Sequence, residues 1–574
     1  MLLATVPQTN PNFTWLDWAV IAVYLVLTTW IGARLSGKQS TIREFFLGGR
    51  KLPWWAICGS IIATEISGVT FLAVPVISFV EGGNLTYLQL GIGAILARVI
   101  IGVLFVPQYY QKEIYSPYDY LGRRLGPRVK TITTLLFFVG GILGQGARVF
   151  VTAFLLSRIG NLNLVTSIWV IGLFSVGWTL MGGITTVIWT DVIQFCVLIL
   201  GAVICLFFAV QTVPGGISEV VNLANADDVR KFELFDLRTD PSLEYTLWSA
   251  LMAFTLLNLA AFGLDQVMAQ RMFCCKTARE AKTAIIWSSA GQLVALLMLC
   301  VGIALYAYFQ HKPFTPEEQE LFQEKRTYLL PIFIVRELPV AVRGLITAAV
   351  FAAAISSLDS ALAALSQTTV SAFKKPVSKI TKKLKLNSSR QLSDIKLSKI
   401  LVVFWGAVLC LMATACIAIS DQYKNVVDLA FGLTAYTYGA LLGVFLLALL
   451  PVNRDDAGLT WAVPMTVLTV FGLSVHVDSI HIPKLNVHFN WADWVVWIGA
   501  AVILSRALLR LKGDLKRIVI VVVGALTLVL LHDLELAGEH GQIKYLSWAW
   551  SFPIGTAMTF LIGYGLGNPA KGQR

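Results

Sequence analysis

Charged residues are scarce in this sequence. Asp, Glu, Lys and Arg make up 14% of its 574 residues, whereas an ordinary soluble domain contains roughly 25%. The phosphate-binding pattern GxxxxGK followed by Ser or Thr is absent, as is the zinc pattern HExxH, and no large polar portion could hold a nucleotide. These absences argue against an enzyme and against a pump driven by a nucleotide.

Paired cysteines are absent as well. The eight cysteines lie within apolar segments or at their ends, and no two of them form a CxxC pair. We therefore interpret them as reduced packing residues rather than as metal ligands or disulfide partners.

Apolar residues dominate the chain instead. They make up 56% of it, and the mean hydropathy is +0.72. A helix of about 20 apolar residues crosses the hydrocarbon core of a bilayer, and we count about fifteen such stretches. They lie near residues 15–34, 54–80, 87–110, 131–158, 163–181, 186–211, 245–269, 283–309, 343–372, 398–420, 425–450, 459–476, 491–510, 517–533 and 546–567. The sequence thus predicts an all-α polytopic membrane protein, with one integral domain over residues 1–574.

The distribution of basic residues predicts how these spans are oriented. Lys and Arg are concentrated in alternate loops, which is typical of cytoplasmic loops. These residues are Arg34, Lys38, Arg43, Arg50, Lys51, Arg123, Arg124, Arg128, Lys130, Arg271, Lys276, Arg279, Lys282 and the basic residues of 374–399 and 506–517. We expect an outside N-terminus and a cytoplasmic C-terminus in the plasma or inner membrane. The net charge of +12 then follows from topology and needs no nucleic-acid partner. The oligomeric state is not indicated.

Several ionisable residues lie inside the predicted spans. Such residues cost several kcal/mol and usually face a cavity or an ionic partner. They are Glu65, Arg98, Arg148, Asp191, Asp265 and Asp359. Each is a candidate functional residue.

The segment FAAAISSLDSALAALSQ, residues 351–367, carries the densest polarity. At about 100° per residue, Ser356, Ser357, Asp359 and Ser360 all lie on one side of a helix. A small-residue packing face could explain the serines, but it explains the carboxylate poorly. A cation site explains both, because hydroxyl, carbonyl and carboxylate oxygens are the ligands of hard cations.

Backbone carbonyls become ligands only where a helix is interrupted, and interruptions are tolerated only beside a cavity or within protein. The stretch IIATEISGVTFLAVP, residues 61–75, places polar residues and a glycine midway along the second span. Gly263 interrupts the stretch at 259–271 in the same way. We expect a broken helix at both places.

Several motifs in this order resemble the sodium:solute symporter family, which includes sodium/glucose, sialic-acid and monocarboxylate cotransporters. They are FFLGGRKLPWW (45–55), the interrupted helix at 61–75, YLGRRLG (120–126), MGGITTVIWTDVIQ (181–194), LDQVMAQR (264–271) and AAAISSLDSALAALS (352–366). The resemblance covers roughly residues 15–450.

The resemblance implies a LeuT-type fold of two inverted five-helix repeats. One extra helix at 15–34 precedes the first repeat at 54–211, the second repeat covers 245–450, and peripheral helices follow at 459–567. Na+ would be the coupling ion, and the lipid bilayer and a small-molecule solute the other partners.

The resemblance also implies the positions of the ion sites. A sodium ion would lie between the first broken helix and the helix at 343–372. Its ligands would be backbone carbonyls of Ala63, Ile66 and Ala353 and the hydroxyls of Ser356 and Ser357. A possible second sodium would use Asp191, Asp359 and Ser360, where a carboxylate at 359 replaces the hydroxyl of relatives.

The solute would lie between the two broken helices by the same resemblance. Candidate solute-binding residues are Ser67, Thr70, Gln89, Gln145, Arg148, Asp265, Gln266 and Gln292. For Arg148 two interpretations stay open. Its guanidinium could bind a substrate carboxylate bidentately, or it could form an internal ion pair with Glu65 or another acid.

We therefore expect a sodium-coupled secondary symporter that imports a sugar or an organic anion by alternating access. Two alternatives are a membrane sensor built on a transporter core and a sodium-independent uniporter.

Overall fold

The structure is a computed structural model. It describes residues 14–35, 42–111, 114–160, 162–226, 228–383, 394–419, 426–450, 456–474, 480–482, 487–489, 499–507, 514–532, 536–537, 543–544 and 547–567. The helices are α1 (Trp15–Leu35), α2 (Ile42–Leu47), α3 (Trp54–Glu65), α4 (Gly68–Phe79), α5 (Leu90–Ile100), α6 (Val106–Tyr110), α7 (Pro117–Leu125), α8 (Pro127–Gly160), α9 (Leu164–Gln211), α10 (Gly216–Ala224), α11 (Thr255–Gly263), α12 (Gln266–Phe273), α13 (Ala278–Trp287), α14 (Gln292–His311), α15 (Pro316–Glu324), α16 (Leu329–Glu337), α17 (Val342–Lys383), α18 (Asp394–Ile419), α19 (Val426–Leu449), α20 (Ala457–Ser474), α21 (499–507), α22 (Leu515–His532) and α23 (Ser551–Leu566). Two short antiparallel hairpins join β1 (Ile480–Ile482) to β2 (Val487–Phe489) and β3 (Leu536–Ala537) to β4 (Ile543–Lys544).

Every predicted span coincides with at least one of these helices. In the described part of the chain, 8 helices are long and apolar enough to cross a membrane, or up to 10 when two bent pairs are counted as one span each. The described part of the chain is thus almost entirely helical, as in a multi-pass membrane protein. The predicted count of fifteen spans stays a prediction, because α19–α23 do not all reach the length and apolarity of a span. The orientation of the termini also stays a prediction.

Two of the spans are broken, as the interruptions at 61–75 and Gly263 predict. The axes of α3 and α4 differ by 60°. The helical stretch Ser249–Gly263, which includes α11, differs in direction from α12 by 56°. The backbone is extended at Ile66 and Ser67 between α3 and α4, and again at Asp265 before α12. An extended residue cannot continue the helical hydrogen bonds, so carbonyls at each break are left without a helical partner.

A glycine folds one long helix into two spans. Within α9, the stretches Leu164–Met181 and Gly183–Gln211 each qualify as a span. Gly183 has a φ of +57°, which only a residue without Cβ adopts at little cost. The regular helical backbone is therefore interrupted at this point.

The helix α17 lies at the centre of the bundle. In its apolar stretch 94% of the residues are buried, against 28% in α1. It packs against α9, α8, α18, α1 and α3. A polar side chain on α17 therefore faces protein rather than lipid, whichever side it occupies.

A buried ion pair attaches α1 to this centre. The carboxylate of Asp17 accepts hydrogen bonds from the Arg343 guanidinium at 2.9 Å and from the backbone N–H of Ala341 at 2.8 Å. Asp17 is fully buried. Because an unpaired buried charge costs several kcal/mol, this contact holds the first helix at the start of α17.

The segment at 225–248 covers the end of α4. The Lys231 ammonium donates to the carbonyls of Phe79 at 3.1 Å and Val80 at 2.5 Å. The backbone N–H of Leu85 donates to Glu233 at 3.0 Å. Lys231 thus caps the C-terminal carbonyls of a broken helix.

Because Lys231 is buried, the free energy of unfolding depends on pH in the alkaline range. Burial lowers the pKa of Lys231 to about 8, from an ordinary value near 10.4. Between these pH values the unfolded chain binds a proton that the folded chain lacks, so the free energy of unfolding rises with pH. We expect Lys231→Met to remove this contribution. Thermal unfolding of the purified protein across that pH window measures it.

The matched control for this experiment is Lys312→Met. Lys312 is half exposed and pairs with Glu337 at 3.1 Å, rather than with the carbonyls at the end of α4 that Lys231 contacts. This variant should keep the wild-type dependence of melting temperature on pH. Equal slopes in Lys231→Met and wild type would contradict the prediction.

Candidate functional site

The helix α17 crosses the break between α3 and α4. The Ser357 hydroxyl lies 3.3 Å from the carbonyl oxygen of Thr64 and 3.1 Å from that of Ala353. Ala63, Thr64 and Ala353 are fully buried there. Oxygens of both helices thus converge on one buried point.

The neighbouring hydroxyl of Ser356 has its proton engaged. It donates to Asp191 Oδ1 at 2.6 Å, which leaves the oxygen lone pairs of Ser356 free to accept or to ligate a cation. The carbonyls of Ala63 and Ile66 belong to the end of α3, where the helical bonding stops. The five predicted ligands of the first sodium ion therefore occur at one crossing, and their role stays a prediction.

Asp191 collects partners from three other elements. Its Oδ2 accepts hydrogen bonds from Ser60 of α3 at 2.5 Å and from the Arg271 guanidinium of α12 at 2.9 Å. Arg271 also donates to Ser60 Oγ at 2.8 Å, to Ser360 Oγ and to the carbonyl of Val267. The side chains of Asp191 and Arg271 are both fully buried.

The position of Arg271 corrects the sequence analysis, which counts it among the basic residues of a cytoplasmic loop. The residue ends the motif at 264–271, and α12 carries it into the protein against α9. The missed signal is charge balance, because a buried Asp191 requires a cation and Arg271 is the basic residue of a second family motif.

The predicted second sodium set lies in the same network. Ser360 donates to the carbonyl of Ser356 at 2.5 Å and contacts Asp359 Oδ1 at 3.3 Å. Arg271 lies among Asp191, Ser360 and Asp359, so a guanidinium already supplies positive charge where an ion was expected. The ion itself stays a prediction.

A cavity opens between the two broken helices. It is lined by residues of α3, α4, α5, α8, α11, α12, α14 and α19. Six of the predicted solute-binding residues line it, namely Ser67, Thr70, Gln145, Arg148, Asp265 and Gln292. The tertiary structure therefore assembles most of the predicted set around one space.

The other two predicted residues do not line this cavity. The Gln89 amide donates to the carbonyl of Tyr245 at 2.6 Å and so holds the 225–248 segment against α5. The Gln266 amide donates to the carbonyl of Tyr115 and to Gln367 Oε1 at 2.8 Å. Both side chains are almost fully buried and are used in packing between helices.

Glu65 lines the cavity, and its partner is Arg98. The two side chains approach to 2.6 Å, and Arg98 is fully buried above the ring of Phe262. Gln292 donates to the same carboxylate at 3.1 Å. The internal pair that the sequence offered for Arg148 is therefore made by Arg98 instead.

Arg148 faces the cavity with few contacts. Its guanidinium donates to the carbonyl of Thr64 at 3.4 Å, and no ion pair of the described residues includes it. Asp265 also lines the cavity, within electrostatic range of Arg148, and accepts hydrogen bonds from the Tyr438 hydroxyl at 2.5 Å and from the N–H of Val267 at 2.7 Å. Tyr438 is a lining residue that the sequence analysis does not find, because nothing in its apolar surroundings distinguishes it.

Comparison with known proteins gives a consistent answer. The family model described as the sodium:solute symporter family matches residues 45–463. The chain is 30% identical to the sodium/sialic acid symporter of Proteus mirabilis over 78% of its own length and 87% of that protein. It is 28% identical to the Homo sapiens sodium/iodide cotransporter over 82% of its own length and 72% of that protein.

A solved structure agrees with these relatives. The substrate-bound outward-open state of a Na+-coupled sialic acid symporter superposes with a TM-score of 0.69 at 25% identity, covering 85% of this chain and 95% of that one. Since the family model matches well over half of the sequence, the chain belongs to the sodium:solute symporter family, and Na+ is its coupling ion.

Proposed function

We propose that this symporter carries a small organic anion together with sodium, and that Arg148 binds the carboxylate of the anion. The observation that carries the proposal is a guanidinium that lines the cavity and, within the described residues, has the carbonyl of Thr64 as its hydrogen-bond partner. Asp265 acts on this guanidinium electrostatically, while its carboxylate has hydrogen bonds of its own to Tyr438 and Val267. A planar guanidinium offers two parallel N–H donors to a carboxylate. The cavity therefore presents a ready-made anion site.

The other arginines of the core support this assignment by contrast. Arg98 pairs with Glu65 at 2.6 Å, Arg271 with Asp191 at 2.9 Å, and Arg343 with Asp17 at 2.9 Å. Each is fully or almost fully buried and has its acid within the protein. Arg148 differs because its contact to the carbonyl of Thr64 is long, so it has donors left for a ligand.

Several relatives are named for solutes that carry a negative charge. They include transporters named for iodide, sialic acid and monocarboxylate, and all three solutes are anions at neutral pH. A neutral sugar would leave Arg148 buried against an uncharged ligand, which is unfavourable. We therefore favour the organic anion over the sugar.

For the first sodium ion we propose the carbonyls of Ala63, Ile66 and Ala353 and the hydroxyls of Ser356 and Ser357. The Ser357 hydroxyl supports this set, because it lies within hydrogen-bonding distance of the Thr64 carbonyl of α3 and of the Ala353 carbonyl of α17. We also propose that 54–211 and 245–450 are inverted repeats. Both begin with a broken helix, with bends of 60° and 56°, which is the arrangement that such repeats use to bind ions and solute midway across a membrane.

One carbonyl links the ion site to the solute cavity. Thr64 O accepts from Ser357 Oγ at 3.3 Å and from Arg148 at 3.4 Å. A sodium ion that recruits Ser357 and an anion that recruits Arg148 therefore act on the same turn of backbone. Because such coupling is reciprocal, each ligand raises the affinity for the other by one common factor.

Replacing Arg148 tests the anion site. We expect Arg148→Gln to lower the affinity for carboxylate solutes at least about 30-fold, since loss of one partner of a charge pair costs about 2–5 kcal/mol. Arg148→Lys should also bind carboxylate solutes more weakly, because an ammonium does not offer the two parallel N–H donors of a guanidinium. Sodium-driven uptake into proteoliposomes, screened across sialic acids, monocarboxylates and neutral sugars, is the measurement.

The control for this screen is Arg336→Gln. Arg336 pairs with Glu318 at 3.0 Å away from the cavity, so uptake should stay at the wild-type level. Strong sodium-driven uptake of a neutral sugar that is indifferent to Arg148→Gln would contradict the proposed solute class.

Replacing Ser357 tests the sodium site. We expect Ser357→Ala to weaken sodium binding about tenfold or more, because it removes one oxygen ligand from a buried cation. Ser366→Ala is the matched control, since Ser366 lies on the same helix, is fully buried and has no hydrogen-bond partner in the described chain. Sodium-dependent thermal stabilisation measures both. Equal sodium dependence in the two variants would refute the assignment.

A further inference from the structure

The segment 231–238, with the sequence KFELFDLR, has its charged side chains inside and its apolar side chains outside. The Lys231 side chain is almost fully buried, and that of Asp236 is 12% exposed. Phe235 and Leu237, by contrast, are 51% and 63% exposed. A segment surrounded by water shows the opposite distribution. This pattern indicates that Phe235 and Leu237 face apolar surroundings rather than water.

The charged groups of this segment have their partners within the protein. The Lys231 ammonium donates to the carbonyls that end α4. The Asp236 carboxylate accepts hydrogen bonds from the Arg238 guanidinium at 3.0 Å and 2.6 Å. Arg238 itself is 70% exposed, so its guanidinium can reach a further anionic group. Apolar side chains beside an exposed guanidinium are typical of segments that lie in the headgroup region of a bilayer.

The position of Leu237 relative to the membrane follows from Trp248. The Trp248 indole N–H donates to the carbonyl of Leu237 at 3.2 Å. Trp248 directly precedes the helical stretch Ser249–Gly263, which is the first half of the second broken span. One turn further along, Met252 is 58% exposed and so faces lipid. Because indole rings concentrate where hydrocarbon meets headgroups, Leu237 lies at the edge of the lipid-facing surface of this span.

The same segment holds the ends of several helices. The N–H of Leu85, before α5, donates to the carbonyl of Glu233 at 3.0 Å, and the N–H of Leu247 donates to the carbonyl of Asp236 at 2.9 Å. With the Lys231 contact to α4, these hydrogen bonds reach one end of each broken span. A contact that fixes the segment 231–238 therefore also restrains both broken spans.

We propose that Phe235 and Leu237 insert into the interface of the bilayer beside Trp248 and anchor the segment 231–238 to one leaflet. Arg238 would then lie at the level of the lipid phosphates, which a guanidinium binds through paired N–H donors. The patch is continuous with the lipid-facing surface at Met252. It is far smaller than the roughly 20–30 residues a side of a stable protein interface, so lipid is a better occupant than a second copy of the chain. The inference does not rest on the proposed function, because neither sodium nor solute takes part.

Photochemical cross-linking identifies the occupant directly. The photoreactive amino acid p-benzoylphenylalanine replaces Phe235, or in a second protein Leu237, in the full-length chain. Each protein is placed in nanodiscs of phosphatidylcholine and phosphatidylglycerol and irradiated. Intact-protein mass spectrometry should then show a gain equal to the mass of one of these lipids. A substitution of this kind keeps the apolar character of both positions.

Two further positions calibrate the cross-linking. The same amino acid at Met252, inside the span, should gain a lipid, whereas at Glu320, on the acidic and exposed helix α15, it should not. A lipid adduct at Met252 with none at Phe235 or Leu237 would overturn the proposal. A product of twice the protein mass at these two positions would overturn it as well, since it identifies a second copy as the occupant.

Hydrogen exchange tests whether the anchor restrains the helix ends. In nanodiscs, Phe235→Asp and Leu237→Asp should each speed exchange of the Leu85 and Leu247 amides at least about tenfold, because a charge cannot replace the buried apolar side chain. Both amides donate to the segment and so report its local opening. Exchange is measured by mass spectrometry of peptides that contain these residues.

The matched control for hydrogen exchange is Leu515→Asp. Leu515 is 72% exposed at the start of α22, and it makes the same chemical change elsewhere in the chain. This variant should leave both amides at the wild-type rate. Wild-type rates in Phe235→Asp and Leu237→Asp would refute the restraint. The cross-link needs no charged substitution, so it decides the lipid contact even if an aspartate variant fails to fold.

Discussion

The buried carboxylate of Asp191 is the contact on which the rest of the core depends. It joins α9 to Ser60 of the first broken helix, to Arg271 of the second and to Ser356 of α17. A carboxylate and a guanidinium buried together repay their desolvation only when the remaining donors and acceptors are also satisfied, and here they are. Both broken helices are thereby held against α17, the helix that carries the hydroxyls proposed to bind sodium.

This arrangement places the proposed ion and solute contacts on the same short segment. Helical bonding stops at Ile66 and Ser67, and the turn before them meets Ser357 from α17 and Arg148 from α8. A change at either contact acts on the last turn of α3, directly before the extended backbone at Ile66 and Ser67. The structure thus has a physical route for coupling that needs no long pathway through the protein.

Much of the architecture follows from local patterns. Long apolar runs predict where the helices lie, and polar residues with glycine at 61–75 and Gly263 predict where two of them break. The cluster of Ser356, Ser357, Asp359 and Ser360 follows from helical periodicity alone. The ion pairs do not follow from local patterns. The sequence suggests that Glu65 pairs with Arg148, whereas in the structure Glu65 pairs with Arg98. The sequence places Arg271 in a loop, whereas in the structure Arg271 is buried against Asp191.

The sequence by itself determined the class of protein, the family and the position of most helices, because each is a property of composition, periodicity or a contiguous motif. Only the tertiary structure decided which charges neutralise one another. Asp191 and Arg271 are 80 residues apart in the chain, and Glu65 is 33 from Arg98. Inside a membrane each buried charge must find its counterion through space, so the pairing of the charges emerges only when the helices pack.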